Sequence, residues 1–160
     1  MLQASSNLRS PKKTPPAEAG VIRELALFRY SLRKFLRFSE RAARQFGVTP
    51  QQHQLMLGVA GYTGRGTASI SELAEFLQER HHSVVELVER AVQNDLVRRE
   101  HGMVDRRIVI VSLTPQGEEM LAKLSTLHHE EMTRVRAGFL NIPEAPKPTR
   151  TKKQSTWPNP

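Results

Sequence analysis

The chain has 160 residues, a formal net charge of +8 and no cysteine. That length is one domain's worth and buries a core without covalent staples. The missing cysteines exclude disulfides, thiolate metal sites, cysteine nucleophiles and thiol redox sensing. No apolar run reaches membrane-span length and no apolar signal segment follows Met1, so the expected compartment is the cytoplasm and no membrane partner is expected.

A basic balance attracts polyanions, but here it is unevenly placed. Residues 1–20 carry a net +2 and residues 141–160 a net +3, which leaves +3 for the middle of the chain. Both ends are rich in proline and polar residues and lack apolar periodicity. They read as disordered basic tails, because they cannot bury enough apolar surface to offset ordering entropy. The folded domain is expected over residues 21–140.

In chain order, the first element is a long helix over about residues 21–46. Val21, Leu25, Phe28, Leu32 and Phe35 recur at spacings of three and four, and Ala42 and Phe46 continue the phase. Leu27, Leu36 and Phe38 fall off that stripe, so the apolar surface is wide. Two readings follow: a dimer interface, or an intrachain core helix with an ordinary exposed side. Arg23, Arg29, Arg33, Lys34, Arg37, Arg41 and Arg44 are expected on a solvated face, and Gly47 ends the helix.

Thr49, Pro50 and Gln52 open a second helix with a capping box and proline at its first position. It ends around residues 58–61, and Gly64, Arg65 and Gly66 form a turn. Ser69 and Glu72 make a second capping box. The helix they open is expected to bury Leu73, Phe76 and Leu77. After a short turn near residues 78–80, another helix follows with Val84, Leu87, Val88 and Ala91 inward.

The period then changes. Residues 107–113 are largely β-branched and aliphatic and read as a strand, with residues 96–100 as its antiparallel partner and 101–105 as the hairpin tip. Thr114 and Pro115 open a last helix over about 115–140, whose apolar face is Met120, Leu121, Leu124, Leu127 and Met132. The fold class is therefore mainly α with a small β-hairpin wing: a winged helix-turn-helix plus a helical region, which is a dimerisation region on the first of the two readings of the long helix. In a helix-turn-helix the second short helix lies in the major groove. A basic hairpin directly after it, here with Arg98, Arg99, Arg106 and Arg107, is placed to reach the minor groove, where arginine responds to groove width.

Leu73, Ala74 and Glu75, then Leu87 to Arg90, then Leu96, Val97, Arg98 and Arg99, together with Asp105, Arg106 and Arg107 and the run Leu113, Thr114, Pro115, Gln116, Gly117, resemble the MarR family of transcription regulators. The wing is the most specific part: an acidic residue, one more, an arginine, a strand ending in Leu-Thr, and a glycine three past the threonine. The resemblance covers about residues 21–136. It implies a homodimer held by the first and last helices, a pseudo-palindromic double-stranded DNA operator, and repression relieved by a small-molecule effector. By the same resemblance, Arg107 is the wing arginine of the minor groove and Asp105 holds the wing tip, by pairing with an arginine or bonding nearby backbone. Arg80, His81, His82 and Ser83 open the recognition helix. Glu86, Arg90, Arg99 and Arg106 complete the expected DNA-binding set.

The chain also departs from the family. Gln78, Glu79 and Arg80 stand where many members carry Gly-Leu-Ser, and loss of the capping serine costs about 1 kcal/mol. Glu86 sits where a basic or small residue is common, so it faces either a cytosine amino group or a neighbouring arginine. The proline-rich tail begins soon after Leu140, where members often carry a further helix. From residue 80 to 107 six basic residues meet five acidic ones, a weak positive balance. It motivates a second reading, a winged helix used for protein contact.

His81 with His82, and His128 with His129 and Glu131, are the candidate metal ligands. Neighbours on a helix point about 100° apart, and zinc needs three or four converging ligands. His128 and His129 are therefore expected on an exposed polar face, and His81 and His82 as groove or phosphate contacts. No cofactor is implied. No nucleophile–base pair, phosphate loop or catalytic carboxylate pair is present in a recognisable motif, so the chain does not read as an enzyme.

Overall fold

The structure is a computed structural model that describes residues 16–103 and 105–140. Five α-helices and three strands follow one another: α1 (Pro16–Gln45), α2 (Pro50–Leu57), a π-helical turn (Gly58–Tyr62), β1 (Thr67–Ser69), α3 (Ile70–Leu77), α4 (His81–Gln93), β2 (Val97–His101), β3 (Val109–Leu113) and α5 (Pro115–Leu140). Most of the described residues are helical, and one small antiparallel sheet accompanies them. No described helix is long and apolar enough to cross a membrane.

α1 starts at Pro16, earlier than periodicity places it and inside the stretch read as a disordered tail. Proline suits a first helical turn, where its missing N–H has no intrahelical partner to lose. The other tail residues, 1–15 and 141–160, lie outside the described residues. Gly47 ends α1 at φ +78°. There the N–H of Val48 donates to the carbonyl of Ala43 and that of Gly47 to Arg44, both at 3.1 Å. This is the paired closure that a left-handed residue permits. Both capping boxes form: Thr49 with Gln52, and Ser69 with Glu72. Glu72 also meets Arg65 at 2.6 Å, and the Ser69 N–H followed by the Arg65 guanidinium holds its carboxyl down at about 2.

The sheet differs from the two-stranded expectation. Its order is β1-β3-β2, with Thr67 opposite Ser112 and Ser69 opposite Ile110 on one side of β3, and Val97 opposite Leu113 and His101 opposite Val109 on the other. A three-residue strand carries no readable periodicity, so β1 has no sequence signature. β3 begins at Val109 rather than at Arg107, and β2 runs through His101. The described residues of the wing tip are therefore 102, 103 and 105–108.

The core gathers Leu55, Met56 and Val59 of α2 and the following turn, Leu73 of α3, Val84, Leu87, Val88 and Ala91 of α4, Leu96, Val97 and Val111 of the wing base, and Leu121 and Leu124 of α5. Each fully buried Leu or Val contributes about 1.5–3 kcal/mol, so α3, α4 and the wing base are locked as a unit. Three expectations are corrected. Phe76 is 36% exposed and lies against Tyr62, at 5.2 Å between ring centroids. Met132 is 54% exposed. His128 is buried, not on a polar face, because its ring is turned in against α1.

Candidate nucleic-acid interface

α3 and α4 are joined by Gln78, Glu79 and Arg80. Gln78 closes α3 in the left-handed region at φ 54°, and its side-chain amide donates to the Glu75 carbonyl at 2.6 Å. A glycine takes that conformation without steric cost, which accounts for the family's preference at this point. Arg80 stands at the N-cap of α4 in extended conformation and gives no side-chain cap. Arg80, His81 and His82 are exposed and Ser83 half-buried. The start of α4 thus presents cationic and aromatic-polar groups beside backbone N–H groups that lack a capping oxygen.

Further along α4, Glu86 lies 4.0 Å from Arg90, so its neighbour within the protein is an arginine. Arg99 on β2 reaches Glu89 of α4 at 3.3 Å, and Arg98 meets Glu100 at 3.7 Å and the Ser112 hydroxyl at 2.9 Å. Three of the six head arginines are consumed in this way. Among the described residues Arg80, Arg106 and Arg107 make no ion pair, and all three are exposed. The free positive charge therefore sits at the two ends of the surface, the start of α4 and the tip of the wing.

The tip is held by its own backbone. Gly102 N–H donates to the Ile108 carbonyl at 2.8 Å and Ile108 N–H to the Asp105 carbonyl at 3.1 Å. Asp105 Oδ1 accepts the N–H of Arg107 at 2.9 Å; of the two roles open to Asp105, the backbone one is realised. His101 Nδ1 lies 2.8 Å from the Arg106 carbonyl. A carbonyl only accepts, so Nδ1 carries the hydrogen.

The Leu-Thr-x-x-Gly run gains a physical reason here. Thr114 Oγ1 donates to the Asp95 carbonyl and accepts the Gly117 N–H at 3.0 Å. One hydroxyl thereby joins the turn after α4 to the start of α5. A Cβ on Gly117 would lie 2.0 Å from the Leu96 carbonyl oxygen, so only glycine allows α5 to cross the wing base this closely. Asp95, at φ 52°, forms the other side of this junction. Sequence reasoning did not single it out, and nothing in its local pattern marks it. The candidate metal ligands do not converge: no cluster of three or more metal-ligating side chains occurs among the described residues.

No family model matches the chain. In sequence it is similar to the HTH-type transcriptional repressor MdtR of Bacillus subtilis, 35% identical over 98 residues, 54% of this chain and 61% of that protein. The chain thus spans less than two thirds of that relative's length. In structure it resembles AbsC, a MarR-family transcriptional regulator from Streptomyces coelicolor, at a TM-score of 0.62 and 21% identity over 79% of this chain and 82% of that one. It also resembles a MarR variant from E. coli complexed with operator DNA, at a TM-score of 0.57 and 20% identity over 71% and 82% of the two chains. This chain has the winged helix-turn-helix fold of the MarR-family regulators.

Proposed function

We propose that the protein is a sequence-specific DNA-binding transcription regulator that acts in the cytoplasm as a homodimeric repressor and is released by a small-molecule effector. The observation that carries the DNA reading is the placement of its unpaired arginines. Arg80 stands at the start of α4, and Arg106 and Arg107 stand at the wing tip. That is where a recognition helix meets the major groove and a wing the minor groove. His81, His82 and Ser83 extend the first patch. Glu86, Arg90, Arg99 and Asp105 act mainly by setting geometry, since each is engaged within the protein.

The homodimer rests on α1. Phe35 and Phe38 turn toward α5, where both meet His128. A second face carries Val21, Leu25, Leu32 and Leu36, all more than 40% exposed. Apolar surface on this scale marks an interaction site, and a second copy offers the matching face. Repression and effector release follow from the resemblance to the family.

The test is selection of bound duplexes from a random library, followed by titration of the winner against salt. The expected result is a palindromic motif with half-sites about one helical turn apart and a log–log salt slope of roughly −0.9 per phosphate neutralised. A second reading, protein contact alone, is favoured by the three arginines already paired to head carboxylates. Selection with no enriched motif and uniformly weak binding at low salt would support it instead.

A further inference from the structure

We propose that His53 and His128 form an acid-operated latch that joins the long helices to the winged-helix head, closed while His53 is neutral and opened when His53 takes up a proton. His53 on α2 is 2% exposed and His128 on α5 is 8% exposed. Their ring centroids lie 4.6 Å apart with planes inclined at 43°. Both nitrogens of His128 are engaged: Nδ1 lies 2.6 Å from the Leu124 carbonyl in α5, and Nε2 lies 2.8 Å from the Ser39 hydroxyl in α1. Phe35 and Phe38 of α1 meet the same ring edge-on, at 6.0 and 5.5 Å. One ring thus gathers α1 and α5 against α2, and α2 packs in turn on α4.

His53 is the weak member of the pair. Its Nε2 is buried and has no hydrogen-bond partner. A proton there would create a buried cation against a second imidazole. Burial first, and then the His128 ring, lower the His53 pKa from 6.5 to about 4. Among the described residues no carboxylate is paired with it. On α3, Glu72 is held by Arg65 and Ser69, and Glu75 is exposed. On α1, Phe35, Phe38 and Ser39 reach His128, while Arg37, Glu40 and Arg41 are exposed. On α2 the flanking Gln52 and Gln54 are uncharged. On α4 the charged Glu86, Glu89 and Arg90 are exposed. On α5, His129 and Glu130 are exposed, and Glu131, one turn beyond His128, is held by Arg134 at 2.8 Å.

The direction follows by linkage. The closed form of His53 binds its proton less tightly than an opened, hydrated form whose pKa returns toward 6.5. The closed state is fully favoured above that value and loses ground as the pH falls toward 4. Relative to about pH 7, the ratio of closed to open falls roughly eightfold at about pH 5.5 and roughly twentyfold at about pH 5. What opens is the contact that sets the winged-helix head against the long helices.

The test uses the full chain and no DNA, so it stands apart from the reading of function. Amide hydrogen exchange in α2, corrected for intrinsic rates, is compared at about pH 7.5 and about pH 5.5. Opening of α2 is expected to rise roughly tenfold in the wild type and to stay level in His53→Gln and His53→Phe, neither of which titrates. In parallel, NMR of the His53 ring in the wild type is expected to show it neutral through pH 5.5. An equal rise in the wild type and in either variant would overturn the proposal. So would a His53 ring that titrates near its ordinary 6.5, a measurement that needs no variant.

Discussion

Asp105 and Arg107 are joined through backbone, not as an ion pair: Asp105 Oδ1 accepts the Arg107 N–H at 2.9 Å, which leaves the guanidinium exposed. The carboxylate shapes the tip while the arginine remains free to act elsewhere. The two residues, two positions apart, therefore separate in their expected effects.

Arg107→Ala removes an exposed group with no internal partner. Thermal stability is expected to stay within about 0.5 kcal/mol of the wild type. Binding to the selected duplex is expected to weaken by roughly 1–3 kcal/mol, most strongly at A·T-rich flanks. Asp105→Ala is expected to loosen the tip and weaken binding less. Fluorescence anisotropy on both variants decides the matter, and equal binding by Arg107→Ala would refute the wing's role.

The turn before α4 predicts opposite movements of stability and affinity. Arg80→Ser supplies the missing capping oxygen and is expected to stabilise the fold by about 1 kcal/mol. It also removes one of the unpaired cations, so binding is expected to fall and the salt slope to shrink by roughly one phosphate's worth. Gln78→Gly relieves a left-handed residue at φ 54° and is expected to leave affinity unchanged while adding up to about 1 kcal/mol of stability. Denaturant melts and salt titrations read the two effects separately.

Gly117→Ala places a methyl group 2.0 Å from the Leu96 carbonyl oxygen. Backbone must move to accept it, at a cost of roughly 1–3 kcal/mol. Thr114→Val keeps the shape but loses the hydroxyl that links Asp95 to Gly117. About 1–2 kcal/mol is expected from the lost cap. Urea unfolding measures both, and a Gly117→Ala protein as stable as the wild type would show that the α5 crossing is looser than the geometry indicates.

The exposed face of α1 yields a prediction about assembly. Leu25 and Leu32 are 55% and 42% exposed in the protomer, so Leu25→Glu with Leu32→Glu leaves the protomer's core intact. Light scattering is expected to show a monomer whose circular dichroism matches the wild type. A double variant that stays dimeric would move the interface to another surface.

Amphipathic spacing and capping chemistry were enough to find the five described helices, because both signals are local, but not the start of α1 at Pro16. Val84, Leu87, Val88 and Ala91 lie inward as their spacing predicts, and both capping boxes close. The spread of apolar residues around α1 likewise anticipates its two faces. Local pattern could not show β1, which is three residues long and becomes a strand only because β3 offers it an edge. Nor could it show which arginines are free: Arg99 is spent on Glu89, ten residues earlier, and Arg98 on Ser112, fourteen later. Asp105 to Gly117 was legible as a wing, but the reason for its glycine lies in the approach of Leu96. His128 reads as a polar surface residue in its own segment, and nothing in the local pattern pairs it with His53, seventy-five positions earlier. Only the docking of α5 against α1 and α2 brings them together, because burial and ring contact are properties of packed elements that no periodicity records.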